Sequence, residues 1–275
     1  DHINDFNYSI GGNITYSRFW DWEQYKPRFS NSWDEYRNSI WHRVGYVNWG
    51  YEAIGRFQNW EQIANYPIDN DRKGNRTVVP GDIMYKDQNN DGVINYLDER
   101  PIGYRVDSTP TLNFGINLSA SWKGFDLAMD WTGSGMTSWN QCYETARPFQ
   151  NDGNSPDEVL KDAWHLSDIW DANSPLIPGK YPMIRLNTDE TSAYDKSSYW
   201  LHNVTYLKLR NLEVGYTFPK TWLNKTGISN LRLFVSGTNL LTLSNLSVMD
   251  PECASDNGLD YPPMRVINIG VNLKF

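Results

Sequence analysis

An all-β fold, a transmembrane antiparallel β-barrel with long extracellular loops, is what this sequence predicts. Three observations lead there. Apolar and polar residues alternate with a period of two over several segments, the pattern of strands with one apolar and one polar face. Tight turns alternate with long excursions rich in Trp, Asp and Asn, the loop asymmetry of outer-membrane barrels. Mean hydropathy is -0.64, and no apolar run approaches the roughly 18 residues of a membrane-spanning helix. Barrel strands are only half apolar and are compatible with such dilute hydropathy.

The first strand is predicted over 6–20, with Phe6, Tyr8, Ile10, Ile14 and Tyr16 on one side and Asn7, Ser9, Asn13, Thr15 and Ser17 on the other. A weaker strand is expected around 44–57. The pattern returns at 111–122, where Leu112, Phe114, Ile116, Leu118, Ala120 and Trp122 oppose Asn113, Asn117, Ser119 and Ser121. Lys123-Gly124 makes a tight turn into 125–132, a hairpin by strand pattern and turn chemistry. Asp126 and Asp130 in that strand cannot face lipid, so they point into a wet lumen. Segment 204–218 changes phase, which a bulge near Arg210-Asn211 reconciles, and Pro219 stops it. Strand 230–241 follows. The closing strand sets Ile267, Ile269, Val271, Leu273 and Phe275 against Asn268, Gly270, Asn272 and Lys274. Asn113, Asn117, Asp126, Asp130, Asn268 and Asn272 are thus the expected lumen-facing set. Excursions over 21–43, 58–110, 133–203 and 243–263 are expected outside the cell. About seven strands cannot close a lumen under so much loop, so the chain is expected to supply part of a wall.

Composition narrows function. A net charge of -8 without a Lys/Arg cluster excludes nucleic acid as a partner. With 13 Trp and 17 Tyr, the chain suits both interfacial girdles and sugar-stacking surfaces. Asp1 is not Met and opens almost directly on a strand, so we expect the carboxy-terminal part of a longer polypeptide. Cys142 and Cys253 match no metal spacing and are expected as two thiols, with a disulfide the alternative. No catalytic motif is present: His2, His42, His165 and His202 lack ligand spacing, and the adjacent acids Asp157-Glu158 and Asp189-Glu190 read as solvated loop charge. The chain is not expected to be an enzyme, and no organic cofactor is implied.

The sharpest motif is a calcium-loop pattern. Asp87, Asn89 and Asp91 occupy positions one, three and five, and Gly92 sits at six for the sharp turn. Val93 offers its carbonyl at seven, Asn95 lies at nine and Asp98 at twelve. Such an oxygen cage predicts Ca2+ (or Mg2+) in the 87–98 loop. The alternative is an Asx-rich turn that satisfies its own backbone. Asp98 is shorter than the usual Glu, and the flanks read as extended chain, so the loop is EF-like on a non-EF scaffold. Among the loop aromatics, Trp139, Tyr143, Trp164 and Trp170 are the candidate substrate contacts, because sugar C–H faces stack on such rings.

Gly81-Asp82-Ile83-Met84-Tyr85-Lys86-Asp87-Gln88-Asn89-Asn90-Asp91-Gly92-Val93-Ile94-Asn95 resembles a signature of the SusC/RagA-type TonB-dependent outer-membrane transporters. In the same order follow Ile102-Gly103, Pro110, Trp122 to Leu127, Gly133-Ser134-Gly135, Tyr206 to Asn211, Gly215 to Pro219, Thr238-Asn239-Leu240, Asp250-Pro251-Glu252, Tyr261-Pro262 and Phe275. The resemblance spans about residues 81–275; Cys253-Ala254 after the Asp-Pro-Glu run departs from it. It implies a 22-stranded barrel of which this is the carboxy-terminal part, with residues 81–100 as an extracellular calcium-loop-like insertion. It also implies a plug domain outside this chain and terminal Phe275 as the assembly signal. Function then follows as TonB-driven import of an oligosaccharide, or a peptide, across the bacterial outer membrane beneath a SusD-type surface lipoprotein. The competing reading is a soluble, secreted, calcium-containing β-sandwich that binds glycans; a surface glycosidase is a third.

Overall fold

The computed structural model describes residues 2–3, 5–23, 25–45, 47–104, 109–186, 190–224, 227–253 and 257–275. Seven antiparallel strands form one sheet: β1 (His2–Ile3), β2 (Phe6–Tyr16), β3 (Leu112–Trp122), β4 (Phe125–Asn140), β5 (Leu201–Thr217), β6 (Asn230–Ser244) and β7 (Val266–Lys274). Spatial order equals chain order, an up-and-down meander. The alternating segments predicted at 6–20, 111–122, 125–132, 204–218, 230–241 and 267–275 all contribute wall strands. The first ends at Tyr16, Trp20–Asp21 pairing with Arg43–Val44 outside the wall, and the third continues to Asn140, into the stretch expected as an external excursion. The expected weak strand at 44–57 does not join the wall. That stretch forms Asn48–Gly50, paired with Arg100–Gly103, and Ala53–Arg56, paired with Ile83–Tyr85, both outside the wall. Its place as seventh strand is taken by the short β1.

Register follows from the alternation. Ser9, Ser119, Ala128, Glu213, Ser236 and Asn268 pair in one row across five ladders. The row beside it reads Tyr8, Ala120, Leu127, Val214, Val235 and Ile269. A one-residue slip would exchange the two faces, so the period-two pattern fixes the pairing. The ladder of β4 with β5 shifts between Asp130 and Trp131, and that of β5 with β6 between Leu209 and Asn211. The bulge expected at Arg210-Asn211 is therefore where the phase change demands it. Lys123 (φ 46) and Gly124 (φ 90) make the β3–β4 turn in the left-handed region that two-residue hairpins require.

Little of the wall is buried. The apolar face leaves Ile10 72% exposed, Ile14 74% and Ile269 83%, and no second sheet packs on it among the described residues. The hydrophobic core sits in the loops. Tyr51, Ile83, Tyr85 and Ile94 from the excursion between β2 and β3 pack with Val159, Tyr181, Tyr194 and Trp200 from the excursion between β4 and β5. The backbone joins them too: the Tyr51 N–H donates to the Lys196 carbonyl and the Ser198 N–H to the Tyr51 carbonyl, each at 2.9 Å. Two long loops thus fold as one body over one end of the sheet. Helices are short, the longest among the described residues being Ser32–Asn38, capped by the Asn31 side chain accepting from the Asp34 N–H at 2.9 Å.

Candidate functional site

The polar face of the sheet carries the first group of candidate residues. Asn113, Asn117, Asp126, Asp130, Asn268 and Asn272 all fall on it by register, as their sequence phase predicts. Four of them, Asn113, Asn117, Asp126 and Asp130, are hydrogen-bonded across strands. Asn117 Nδ2 donates to Asp130 Oδ1 at 2.7 Å, and Ser134 Oγ donates to Asn113 Oδ1 at 2.7 Å. Near the short-turn end Arg232 donates to Asp126 and, at 2.6 Å, to Glu213, joining β6 to β4 and β5. Sequence reasoning missed this triad, although a lone Arg at a face position opposite two acids was the available signal. On the apolar face Phe6, Trp122, Phe125 and Tyr216 align in one row at that same end. Phe125 and Tyr216 rings lie 4.6 Å apart, and Phe218 and Trp222 continue the band. Aromatic rings gathered at one level of an apolar face form an interfacial girdle.

At the loop end a strap crosses the polar face. Leu246, Val248 and Met249 pack on Trp139, Val204 and Tyr206. Lys208, 1% exposed, donates to both Asp250 oxygens at 2.7 Å and to Glu252 at 2.9 Å. Arg210 also binds Glu252. Burial disfavours ionisation of Glu252, but hydrogen bonds from Arg210 and Lys208 outweigh it and hold its carboxyl below the usual carboxylate range. The Asp-Pro-Glu run was legible as a motif; its cationic partners were not.

The signature at 81–95 is the spine of the loop body. Gly81 has φ +93, and a Cβ there would lie 2.5 Å from the Trp164 ring, so only glycine fits. Asp82 is buried and receives two bonds from Arg185, at 2.7 and 2.8 Å, and one from the Val79 N–H at 3.0 Å. Burial pushes its carboxyl upward and Arg185 opposes that. Asn70 clamps the strand that follows, accepting from the Tyr85 N–H and donating to the Ile83 carbonyl, each at 3.0 Å.

In the turn that follows, carboxylate oxygens of Asp87, Asp91 and Asp98 lie within 4.8 Å of one another. Gly92 has φ +84, as position six requires. Asp87 accepts from the Asn90 and Gly92 N–H groups at 2.7 and 2.8 Å, and Asp91 accepts from the Val93 N–H at 2.9 Å. Asp98 is fully buried and accepts from Gln88 at 2.8 Å and Asn95 at 2.9 Å. Asn89 and Asn95 spend their side-chain oxygens on the Asp91 and Leu97 N–H groups, at 3.0 and 2.9 Å. Asp91 Oδ2 accepts from both the Asn89 and Asn95 amides, at 2.8 and 3.4 Å, while the Asp87 and Asp98 oxygens and Asp91 Oδ1 accept one bond each and keep a lone pair that suits a hard cation. Backbone bonds alone also hold the turn. Asp91 is kept below the usual carboxylate range, first by the Asn89 side-chain hydrogen bond.

The four aromatic candidates separate. Trp139 and Trp164 are each only 4% exposed and pack within the structure. They offer no face to a ligand, a correction whose cause is that the loops own a core that composition could not reveal. Tyr143 and Trp170 are 53% and 90% exposed. Cys142 and Cys253 are not joined in a disulfide. Asp189, half of one adjacent-acid pair, lies outside the described residues.

TonB-dependent receptor P3 of Formosa agariphila is 30% identical over 243 residues, covering 82% of this chain and 22% of the relative. TonB-dependent receptor SusC of Bacteroides thetaiotaomicron is 24% identical over 252 residues, covering 85% and 20%. The chain is related to the SusC/RagA-type TonB-dependent receptors. It spans about a fifth of the length of these curated relatives. The RagAB peptide transporter structure superposes with a TM-score of 0.63 at 21% identity, covering 99% of this chain and 27% of that one. Its importer in the open-open state gives 0.64 at 22%, covering 100% and 27%. No family profile matches the sequence. These relatives are named as receptors and transporters.

Proposed function

We propose that this chain is the carboxy-terminal part of an outer-membrane importer wall, in a barrel of the 22-stranded SusC/RagA kind. The observation that carries the reading is the sheet itself. One face is continuously apolar and uncovered with an aromatic girdle, and the other is hydrogen-bonded and polar. In water an uncovered apolar face of this extent would be an aggregation surface; against lipid it is the outer wall of a barrel, and the polar face lines the translocation lumen. A soluble sandwich would set a second sheet on Ile10, Ile14 and Ile269. The proposed cargo is an oligosaccharide, drawn in through TonB coupling by the plug-bearing remainder of the protein, beneath a SusD-type lipoprotein that lids the loop body. The peptide cargo named for the RagAB structures is the alternative. Phe275 serves as the assembly signal, and Ca2+ (or Mg2+) binds the 87–98 turn and braces the loop body.

An immunoblot of outer-membrane fractions, run boiled and unboiled, tests the barrel. A band far heavier than 32 kDa that shifts on heating is expected; a soluble, unshifted band would overturn it. Uptake of labelled oligosaccharide against labelled peptide then decides the cargo.

A further inference from the structure

A cavity of about 800 Å3 opens at the loop end of β2, between the end of that strand and the segment around 42–49. That is the size of a pocket for a ligand of several sugar rings. Its lining is of two kinds. Tyr16, Trp20, Tyr36 and Trp49 supply rings, and Arg18 and Arg43 supply guanidinium groups. The rings are well placed for contact: Trp20 is 50% and Tyr36 41% exposed. The wall is built rather than incidental. Gly45 lies so close under the Phe19 ring that a Cβ would collide with it, and the Gly45 N–H donates to the Phe19 carbonyl at 3.1 Å.

Charge decides the ligand. Arg43 is held from behind: it donates to the Tyr36 carbonyl at 2.6 Å and stands 5.8 Å over the Tyr36 ring and 5.9 Å over the Trp49 ring. Arg18 makes no ion pair among the described residues. Asp21, whose backbone pairs with that of Arg43, is the carboxylate beside Gly45. Among the described lining residues there are two arginines and no carboxylate, inside a chain whose net charge is -8. A fork of fixed N–H donors matches a carboxylate or sulfate in two-point geometry. Flat rings beside it match the C–H face of a pyranose and have no such match to an extended acidic peptide.

We infer that this cavity binds an acidic oligosaccharide, with the sugar faces on Trp20 and Tyr36 and a uronate or sulfate group on Arg18 and Arg43. This rests on the import reading and adds the class of its cargo. The test is calorimetric titration of the detergent-purified protein with four probes: a tetrasaccharide of galacturonate, a sulfated galactose tetrasaccharide, maltotetraose and tetraglutamate. One or both acidic sugars are expected to bind, at least tenfold more tightly than maltotetraose and tetraglutamate, with affinity falling as salt rises. Which of the two binds tells carboxylate from sulfate. Arg18→Gln is expected to weaken binding about tenfold, and Trp20→Ala likewise, while Arg28→Gln, outside the cavity, leaves it unchanged. Equal binding of maltotetraose, preference for tetraglutamate, or indifference to both Arg18→Gln and Trp20→Ala overturns the inference. Binding of the neutral sugar would leave the import reading standing. A protein that binds the acidic sugar yet shows no heat-shifted outer-membrane band would sink the import reading instead.

Discussion

Lys208 shows how one side chain can hold a loop. It is buried on the polar face with Asp250 and Glu252 as its counter-charges. Removing Lys208 leaves Asp250 without its cation and Glu252 with Arg210 alone, and breaking a buried pair costs up to about 3–5 kcal/mol. Lys208→Met is therefore expected to free the 245–253 strap, read as new protease cleavage there in membrane-embedded protein. Lys86→Met, which removes a half-exposed pair with Glu52, is expected to cost less than about 1 kcal/mol and to leave the cleavage pattern unchanged. In the acidic turn, Asp87→Ala combined with Asp91→Ala is expected to loosen the loop body over 58–110. Chelator should reproduce that protease sensitivity in the unaltered protein; identical digestion with and without chelator would remove the metal from the account. These residues were unequally legible. The spacing of Asp87, Asn89, Asp91 and Gly92 is local and readable, whereas Lys208 and Asp250 are 42 positions apart and only the fold brings them together.

At the scale of the strand, facing governs tolerance. Ile269 and Asn268 are neighbours on β7, one paired with Val235 on the apolar face and one with Ser236 on the polar face. Ile269→Asp is expected to cost on the order of 2 kcal/mol at the lipid face and to cut the amount of inserted protein. Asn268→Asp should insert normally. Comparing the heat-shifted fraction of the two variants checks this, and equal tolerance would reverse the facing assignment. Gly270 adds a packing constraint on the polar side, since a Cβ there would collide with the Phe234 ring. Long strands were legible because their alternation is unbroken. The 44–57 segment has apolar content enough for a strand, yet it forms loop-body pairs, because its partners at Ile83–Tyr85 and Arg100–Gly103 lie in the same excursion.

Across the whole molecule, the strap and the loop body meet the sheet at one end, and their attachment is electrostatic as well as apolar. Glu252 has its carboxyl depressed by Arg210 and Lys208 against the effect of burial. A depressed carboxylate contributes stability that is present above its unfolded value, about 4.3, and is lost as pH falls through the folded one. Hydrogen exchange over 245–253 is accordingly expected to be slow at pH 7 and to rise once the pH drops below about 4. A flat profile across that range would show that apolar packing on Trp139 and Tyr206 holds the strap alone. What the sequence determined by itself is the wall: strand positions, facing, the bulge at Arg210-Asn211 and the tight turn at Lys123-Gly124. Each follows from neighbours one or two residues apart, where period and turn chemistry act. Only the tertiary structure decided which aromatics are free. Trp139 and Trp164 are core while Trp20 and Tyr16 line a cavity, because burial depends on contacts between excursions that sequence proximity does not encode.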